Sequence, residues 1–506
     1  MATYFPSVDE VCAMRGQGNT APVWRDIPAD METPVTAYLK VAQEAPSFLL
    51  ESVEGGERVA RYSFIGTLPT KVIRTGPGTE NGSTDPLTLI ENELEGVTPV
   101  QVPGLPRFLG GAVGFIAYEA VHHFEPRVPR NENPDPMQLP ESVFMLTDTL
   151  LIFDHVKHVI KVVNYVSLEG DDDQIYASYQ HAIERIDNII LRLQTGSVDG
   201  NSCLDPGDVD DYRSELTSNH TPESFMRQVE EARELITAGE CIQVVLSQRL
   251  ARRTSAAPFD IYRALRTLNP SPYMYFLDMG DFHIIGSSPE MLVRVEDGMA
   301  TTHPIAGTKP RGETPEEDDA LAEELITDEK ERAEHIMLVD LGRNDIGRVS
   351  EPGTVNVTKL MEIERYSHVM HIVSNVTGKL REGLTAFDTL RSCFPAGTLS
   401  GAPKVRAMEI ISDKEPHERG PYSGAVGYFS KMGNMDMAIC IRTVVMKDGL
   451  ATVQAGGGLV YDSVPRSEYE ESLAKARGML AALDAGEDLT NDRLNRAAAE
   501  PVGGAR

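Results

Sequence analysis

The chain has 506 residues, 41% of them hydrophobic and 25% charged, enough to bury a substantial core and to divide into two to four domains at roughly 100–200 residues each. Its 47 Lys and Arg stand against 77 Asp and Glu, a formal charge of −30. That charge repels nucleic acid and anionic membrane surfaces, so an anionic substrate has to be held by local cations, a metal or backbone N–H groups.

The opening segment, "MATYFPSVDEVCAM", lacks a basic region followed by an apolar core, so no secretory signal is expected. The apolar stretch "FLGGAVGFIAY" is far short of the ~20 residues a spanning helix needs. Cys12, Cys203, Cys241, Cys393 and Cys440 are scattered, with no C-x-x-C pair. They indicate neither a zinc knuckle nor a disulfide framework. The expectation is a cytoplasmic chain with no nucleic-acid and no membrane partner.

Residues 1–194 alternate strand-like runs ("SFLLESV", "RYSFIG", "VFMLTDTLLIFDHVKHVIKVV") with turn-rich loops and one helical stretch, "QIYASYQHAIERIDNIILRLQ". The polar, aperiodic segment that follows, over residues 195–215, reads as a linker. In "TPESFMRQVEEARELITAG", Thr221 is an expected N-cap, Pro222 the first helical residue, and Gly239 the stop. Helices and strands then alternate to residue 484, and residues 485–506 are read as a polar, frayed tail. The two main regions, 1–194 and 216–484, are each α+β.

Two helix starts in the second region carry paired carboxylates: Glu331 with Glu334 in "TDEKERAEHIMLVD", and Glu468 with Glu471 in "SEYEESLAKARGML". Residues i and i+3 share a helix face, so each pair points one way. Asp328 with Glu331 and Ser467 with Glu470 fit capping boxes. Taken alone, such pairs mostly reflect the preference of acidic side chains for first turns. The setting is less ordinary. "ATVQAGGGLVYDS" runs from a strand into Gly456, Gly457 and Gly458, where a backbone can approach an anion closely, although a flexible turn is the simpler reading. In "GAPKVRAMEII", Pro403 suits the first helical position, and Lys404 and Arg406 oppose the dipole unless an anion is near. Arg442 stands alone in the apolar strand "MAICIRTVVM", where a buried arginine needs an anionic partner, from within the protein or outside it.

Seven motifs in this order, "PIAGTKPRG", "DEKERAEHIMLVDLGRNDIGR", "RYSHVMHIVSNV", "GTLSGAPKVRAMEII", "GAVGYFS", "CIRTVV" and "VQAGGGLVYDSVPRSEYEES", resemble the chorismate-binding enzymes. Within that family they most resemble the large subunits of anthranilate synthases. The resemblance covers residues 220–484 and extends upstream to "FLLESVEGGERVARYSFIG". It implies a chorismate-binding α+β fold: a two-sheet antiparallel β-sandwich flanked by helices, with an N-terminal α+β regulatory region. It also implies Mg²⁺ held by Glu334 and Glu471, with Glu331 and Glu468 nearby, carrying the ring carboxylate of chorismate. Gly307, Thr308, Tyr422, Arg442 and Gly456–Gly458 fall at the family's substrate-binding positions. Glu290 in "GSSPEML" falls at the position of the acid that protonates the departing hydroxyl. His371 falls at that of the histidine assisting elimination of pyruvate, and Thr398 is a further candidate. His368, one turn earlier, is a poorer match.

Relatives that activate water, making isochorismate or salicylate, resemble one another in having a lysine where this chain has Gln243. Those making aminodeoxychorismate have a lysine at the position of Ala306. Neither lysine is present here, which favours ammonia as the nucleophile and anthranilate as the product over those two alternatives. A chorismate-binding sensor would have no need of Glu290 and His371, and a scaffold would bind no ligand. None of the cysteines sits in a Gly-flanked strand-to-helix turn of the amidotransferase kind. A separate glutamine amidotransferase subunit, giving a hetero-oligomer, is therefore expected. Finally, Ser52 in "LLES" and Pro272, Tyr273 and Met274 in "NPSPYMYF" resemble the segments with which the family binds tryptophan as a feedback inhibitor.

Overall fold

Runs rich in Val, Ile, Phe and Leu become strands throughout the computed structural model, which describes residues 3–53, 61–198, 202–205, 215–366 and 369–499. His368 lies outside the described residues. The strands form two antiparallel sheets, and each takes strands from both halves of the chain. In the first, the path runs through Thr20–Pro28, Val159–Ser167, Leu150–Asp154, Tyr62–Thr67, Ser47–Glu51, Tyr273–Asp278, His283–Ser288, Thr443–Lys447, Leu450–Leu459, Gln243–Arg253 and Gly401–Ala402. The second runs from Ile305–Pro310 through Val369–Lys379, Met299–Thr302, Met291–Glu296, Met435–Ile439, Ala425–Ser430, Gly111–Ile116 and Ser142–Thr147 to Lys71–Thr75.

The halves join at two seams. Ser47–Glu51 pairs with Tyr273–Asp278, so that Leu49 faces Phe276 and Glu51 faces Met274. Gly111–Ile116 pairs with Ala425–Ser430. Residues 1–194 and 216–484 therefore share both sheets. Strands such as Leu150–Asp154 and Ser142–Thr147 are buried along their whole length, as expected where both faces are covered. An apolar cluster including Phe48, Phe115, Tyr275, Phe282 and Val426 draws on both halves.

The helix Pro222–Thr237 forms as its sequence predicts. Thr221 accepts from the Ser224 N–H, Pro222 occupies the first turn, Phe225, Val229 and Ala232 are buried, and Gly239 follows with φ +81°. Other ends differ from expectation. The long C-terminal helix begins at Pro465, so Ser467 lies inside it and closes no capping box; Glu470 pairs with Arg466 instead. The same helix continues to Ala499, so residues 485–499 are not a frayed tail. Glu487 accepts from Thr254, and Thr490 bonds Asp260, both in buried positions. Within the expected linker, Cys203 and Leu204 are buried in the core. Asp328 does cap the helix Glu329–Gly347, accepting from the Lys330 and Glu331 N–H groups. Pro403 is the cap of Lys404–Lys414 rather than its first helical residue. No helix among the described residues is long and apolar enough to cross a membrane.

Candidate active site

Between the sheets and the two glutamate-bearing helices lies a cavity of ≈ 420 Å³, within the range of small-molecule sites. Gln243, Glu290, Thr308, Glu334, His371, Thr398, Tyr422, Arg442 and Gly456–Gly458 all line it. These come from at least six separated segments.

The three glycines are strand residues. Gly456, Gly457 and Gly458 face Ser247, Leu246 and Val245 across the ladder, which replaces the expected turn. Their lack of side chains serves close approach. A Cβ at Gly456 would overlap the Leu246 carbonyl oxygen, and one at Gly458 the Gln243 Nε2. A Cβ at Gly457 would meet Glu468 Oε2 at 3.1 Å and Glu471 Oε1 at 3.7 Å. The strand thus presents bare backbone to the cavity, directly under the second glutamate pair. Gly307 has the other special role: its φ of +72° carries a bulge between Ala306 and Thr308 in the pairing with Val369–Lys379. A Cβ there would lie 3.0 Å from Glu331 Oε2. Glu331 therefore lies beside Gly307 rather than completing the capping box with Asp328.

The two carboxylate pairs approach the cavity from different helices. Gln243 Nε2 donates to Glu334 Oε1 at 3.2 Å, while Gln243 Oε1 is buried without a partner among the described residues. Lys475 Nζ lies 2.8 Å from Glu471 Oε1 and donates to the Gly456 carbonyl at 3.1 Å. Burial, then the charges of Glu334 and Asp328, raise the Glu331 carboxyl above its ordinary range. Burial and the charge of Glu471 do the same for Glu468, against a hydrogen bond from Ser463. Two half-buried carboxylates held at an electrostatic cost, in an all-oxygen donor set, fit a hard divalent cation such as Mg²⁺. No three of the four bring ligand atoms within 4.8 Å of one another, and only Glu334 among them lines the cavity, so the pairs do not form one closed cluster.

Arg442 has no internal anion among the described residues. It sits between the strands Met435–Ile439 and Thr443–Lys447, not within one, and its φ is +50°. Left-handed backbone at a non-glycine residue costs of order 1–3 kcal/mol and clusters at functional sites. Its guanidinium has no ion-pair partner among the described residues, and burial depresses its pKa. A half-buried cation without an ion-pair partner at a cavity wall has the chemistry to attract an anion. Beside it, Tyr422 contributes a hydroxyl whose pKa burial raises to about 12, so it stays a neutral donor. Lys404 and Arg406 are different. Lys404 binds Asp345 and the carbonyls of Cys393 and Pro395, and Arg406 pairs with Glu240 and Glu409. Their anions are internal.

Glu290 is half-buried in the cavity wall, and desolvation lifts its carboxyl to about 8 against a single hydrogen bond from Thr398 Oγ1 at 3.0 Å. It is therefore an acid at neutral pH. Its partner Thr398 holds it in place. His371 Nδ1 lies 3.1 Å from the Gly307 carbonyl and 3.0 Å from Thr308 Oγ1. The carbonyl can only accept, so Nδ1 carries the proton and Nε2 keeps its lone pair. Burial lowers the imidazole pKa, with nearby Arg442 adding to the effect. The site thus separates a protonated carboxyl from a neutral imidazole base.

Sequence reasoning missed Lys475 and the support beneath the cavity. Arg419, 2% exposed, forms a bidentate pair with Glu415 and lies over the rings of Tyr118 and Tyr422. It also donates to the carbonyls of Leu399 and Val245. The only available signal was the charge cluster "KEPHERG", which composition gives no reason to place in a core.

The second seam of interest holds a cavity of ≈ 480 Å³ lined by Ser52, Pro272, Tyr273 and Met274, with Leu50, Tyr62, Phe108 and Tyr428. All the expected inhibitor-binding residues are therefore together. Ser52 Oγ is buried with no partner among the described residues. Tyr273 is tied by its hydroxyl to Asp436 and Arg294. Met274, 1% exposed, lies inside the sheet between Glu51 and Ser287, so its backbone is less open than expected.

Residues 45–481 match the family model of the chorismate binding enzymes. Anthranilate synthase component 1 of Acetivibrio thermocellus is 51% identical, over 95% of this chain and 99% of that protein. The same-named protein of Pseudomonas putida is 48% identical, over 92% and 95% respectively. A crystal structure of anthranilate synthase component I from Streptococcus pneumoniae superimposes with a TM-score of 0.74 at 39% identity, covering 90% of this chain and 98% of that one.

Proposed function

The chain belongs to the chorismate-binding enzymes, and from that premise we propose that it is the synthase subunit of a Mg²⁺-dependent anthranilate synthase in tryptophan biosynthesis. It would convert chorismate and ammonia to anthranilate, pyruvate and water. The observation that carries this reading is the pairing of an acid that desolvation keeps protonated, Glu290, with Arg442, a cation that has no ion-pair partner among the described residues, in one cavity.

Chorismate is a dianion. Arg442, Tyr422 and the bare backbone at Gly456–Gly458 would hold one carboxylate, with Thr308 and the Gly307 backbone alongside. Glu334 and Glu471 would hold Mg²⁺, with Glu331 and Glu468 nearby. When bound, the ion supplies positive charge to a substrate carboxylate that would otherwise meet four glutamates. Ammonia adds to the ring carbon beside the carboxylate-bearing one, and the distant hydroxyl leaves as water after taking the Glu290 proton. His371 Nε2 then removes the ring proton at the aminated carbon, and the C–O bond to the enolpyruvyl group breaks. The ring becomes aromatic and pyruvate is released. General acid and base groups typically contribute ~10²–10⁴-fold each.

Gln243 is neutral and already committed to Glu334, and Ala306 carries no nucleophile. Neither makes water reactive or attacks the ring. Unprotonated ammonia needs no such help. We place its source in a separate glutamine amidotransferase subunit, making the working enzyme a cytoplasmic hetero-oligomer. We assign the second cavity to tryptophan, as feedback inhibitor.

The purified chain, given chorismate, Mg²⁺ and an ammonium salt at alkaline pH, should develop anthranilate fluorescence without any partner. Products carrying added oxygen, or an amino group at the hydroxyl-bearing carbon, would transfer the chain to another branch of the family.

A further inference from the structure

Far from the catalytic cavity, the hairpin Tyr273–Asp278 and His283–Ser288 ends in a register pair, Asp278 opposite His283. Their side chains meet there, with His283 Nε2 3.4 Å from Asp278 Oδ1. A third group arrives from a distant part of the sequence. Cys203, in the short turn Ser202–Leu204, lies with its Sγ 3.1 Å from Asp278 Oδ2. All three ligand atoms fall within 4.8 Å of one another. Neither Cys203, Asp278 nor His283 borders the catalytic or the tryptophan cavity.

We propose that Cys203, Asp278 and His283 form a structural site for a borderline-soft divalent cation of the zinc type. One thiolate, one imidazole and one carboxylate are the donors such an ion selects, whereas Mg²⁺ avoids sulfur. Bond lengths of ~2.0–2.3 Å in a tetrahedron put ligand atoms ~3.3–3.8 Å apart; Cys203 Sγ and His283 Nε2 lie 3.1 and 3.4 Å from the two different oxygens of Asp278, so a modest turn of that carboxylate would offer one oxygen to both. Cys203 and Asp278 are 2% and 4% exposed, so the ion would be largely dry. His283 is the more open of the three. A water molecule on that side completes the tetrahedron. The Tyr38 hydroxyl lies 3.8 Å from Cys203 Sγ and is also hydrogen-bonded to Ser47. Binding releases the Cys203 thiol proton to solvent. The ion would staple the turn Ser202–Leu204 to the end of the hairpin.

The test uses the full chain, stripped with chelator and titrated with Co²⁺ in saturating Mg²⁺, which occupies the carboxylate site. We expect one equivalent to produce a thiolate-to-cobalt charge-transfer band, displaced by one equivalent of Zn²⁺, with a raised Tm. Cys203→Ser should abolish the band. His283→Ala should weaken Zn²⁺ affinity by about 100-fold or more, since even outer-shell losses cost 10–100-fold. Both variants should keep chorismate turnover in ammonium, which reads out folding and the catalytic site independently. Absence of the band in the unaltered chain, or its persistence in Cys203→Ser, overturns the proposal.

Discussion

Glu290 and His371 divide acid from base chiefly through burial, with the charge of Arg442 helping to keep His371 neutral. Neither contacts an opposite charge: Glu290 meets only the Thr398 hydroxyl, and His371 the Gly307 carbonyl and Thr308. Because Thr398 favours the ionised form of Glu290, Thr398→Val should move the alkaline limb of kcat/KM, taken against free ammonia, to higher pH. An unmoved limb would show that another group titrates there. Stability follows the same proton. Glu290 and Glu119 both hold their protons to about 8, against an ordinary 4.5. The folded chain therefore binds more protons than the unfolded one between those values, and stability falls as pH rises through that window. Glu290→Gln removes part of this slope while reducing turnover by roughly 10²–10⁴-fold. Denaturant midpoints at pH 5 and 8 measure the first effect. His371→Ala should impair pyruvate release more than amination, so the aminated, non-aromatic intermediate accumulates. If both steps slow equally, with no intermediate on rapid quench, the histidine only shapes the pocket.

At the scale of elements, the glycine strand and the glutamate helices make opposite demands on substitution. A side chain at Gly456 meets fixed backbone, so Gly456→Ala should destabilise the fold by about 1–3 kcal/mol, read from the urea midpoint. Gly457 faces only the mobile ends of Glu468 and Glu471. Gly457→Ala should leave the midpoint nearly unchanged and weaken Mg²⁺-dependent turnover. Glu334→Gln and Glu471→Gln should each abolish Mg²⁺ dependence with no loss of stability, because each relieves repulsion within its pair. Retained Mg²⁺ dependence in both would remove the metal assignment. Helix starts were legible in the sequence where one side chain decides them, as at Thr221 and Asp328. They were not legible at Ser467, where Pro465 fixed the start two residues earlier. The glycines read as a turn because local sequence does not reveal a strand whose facing neighbours need bare backbone. The seven ordered motifs contain Thr308, Glu334, His371, Thr398, Arg442 and Gly456–Gly458 of the cavity wall but not Gln243, Glu290 or Tyr422. Arg419 and Lys475 escaped because their partners come from elsewhere in the chain or one turn along a helix.

At the scale of the whole molecule, the two halves form one sandwich, and that arrangement bears on regulation. Local patterns identified the strands but not the pairing of Ser47–Glu51 with Tyr273–Asp278, a contact between segments over 200 residues apart. This register brings Ser52 beside Pro272 and Tyr273 and creates the second cavity at the seam. Pro272 lines that cavity and the catalytic one as well. A ligand between the halves therefore acts on a residue in the wall of the active site. Tryptophan suits the cavity: aromatic rings at Tyr62, Phe108 and Tyr428 offer an apolar enclosure, and Ser52 Oγ lacks a partner. If its binding fixes the seam in a form that resists closure over chorismate, the coupling has to be reciprocal. Micromolar tryptophan, worth about 8 kcal/mol of binding, should inhibit anthranilate formation, and saturating chorismate with Mg²⁺ should weaken tryptophan binding by the same factor. Ser52→Phe should fill the cavity and abolish inhibition with turnover preserved. Calorimetric titration of tryptophan, with and without chorismate and Mg²⁺, measures both affinities. Equal values would mean that tryptophan binds without regulating, and no heat at millimolar ligand would remove the inhibitor site while leaving the catalytic cavity intact.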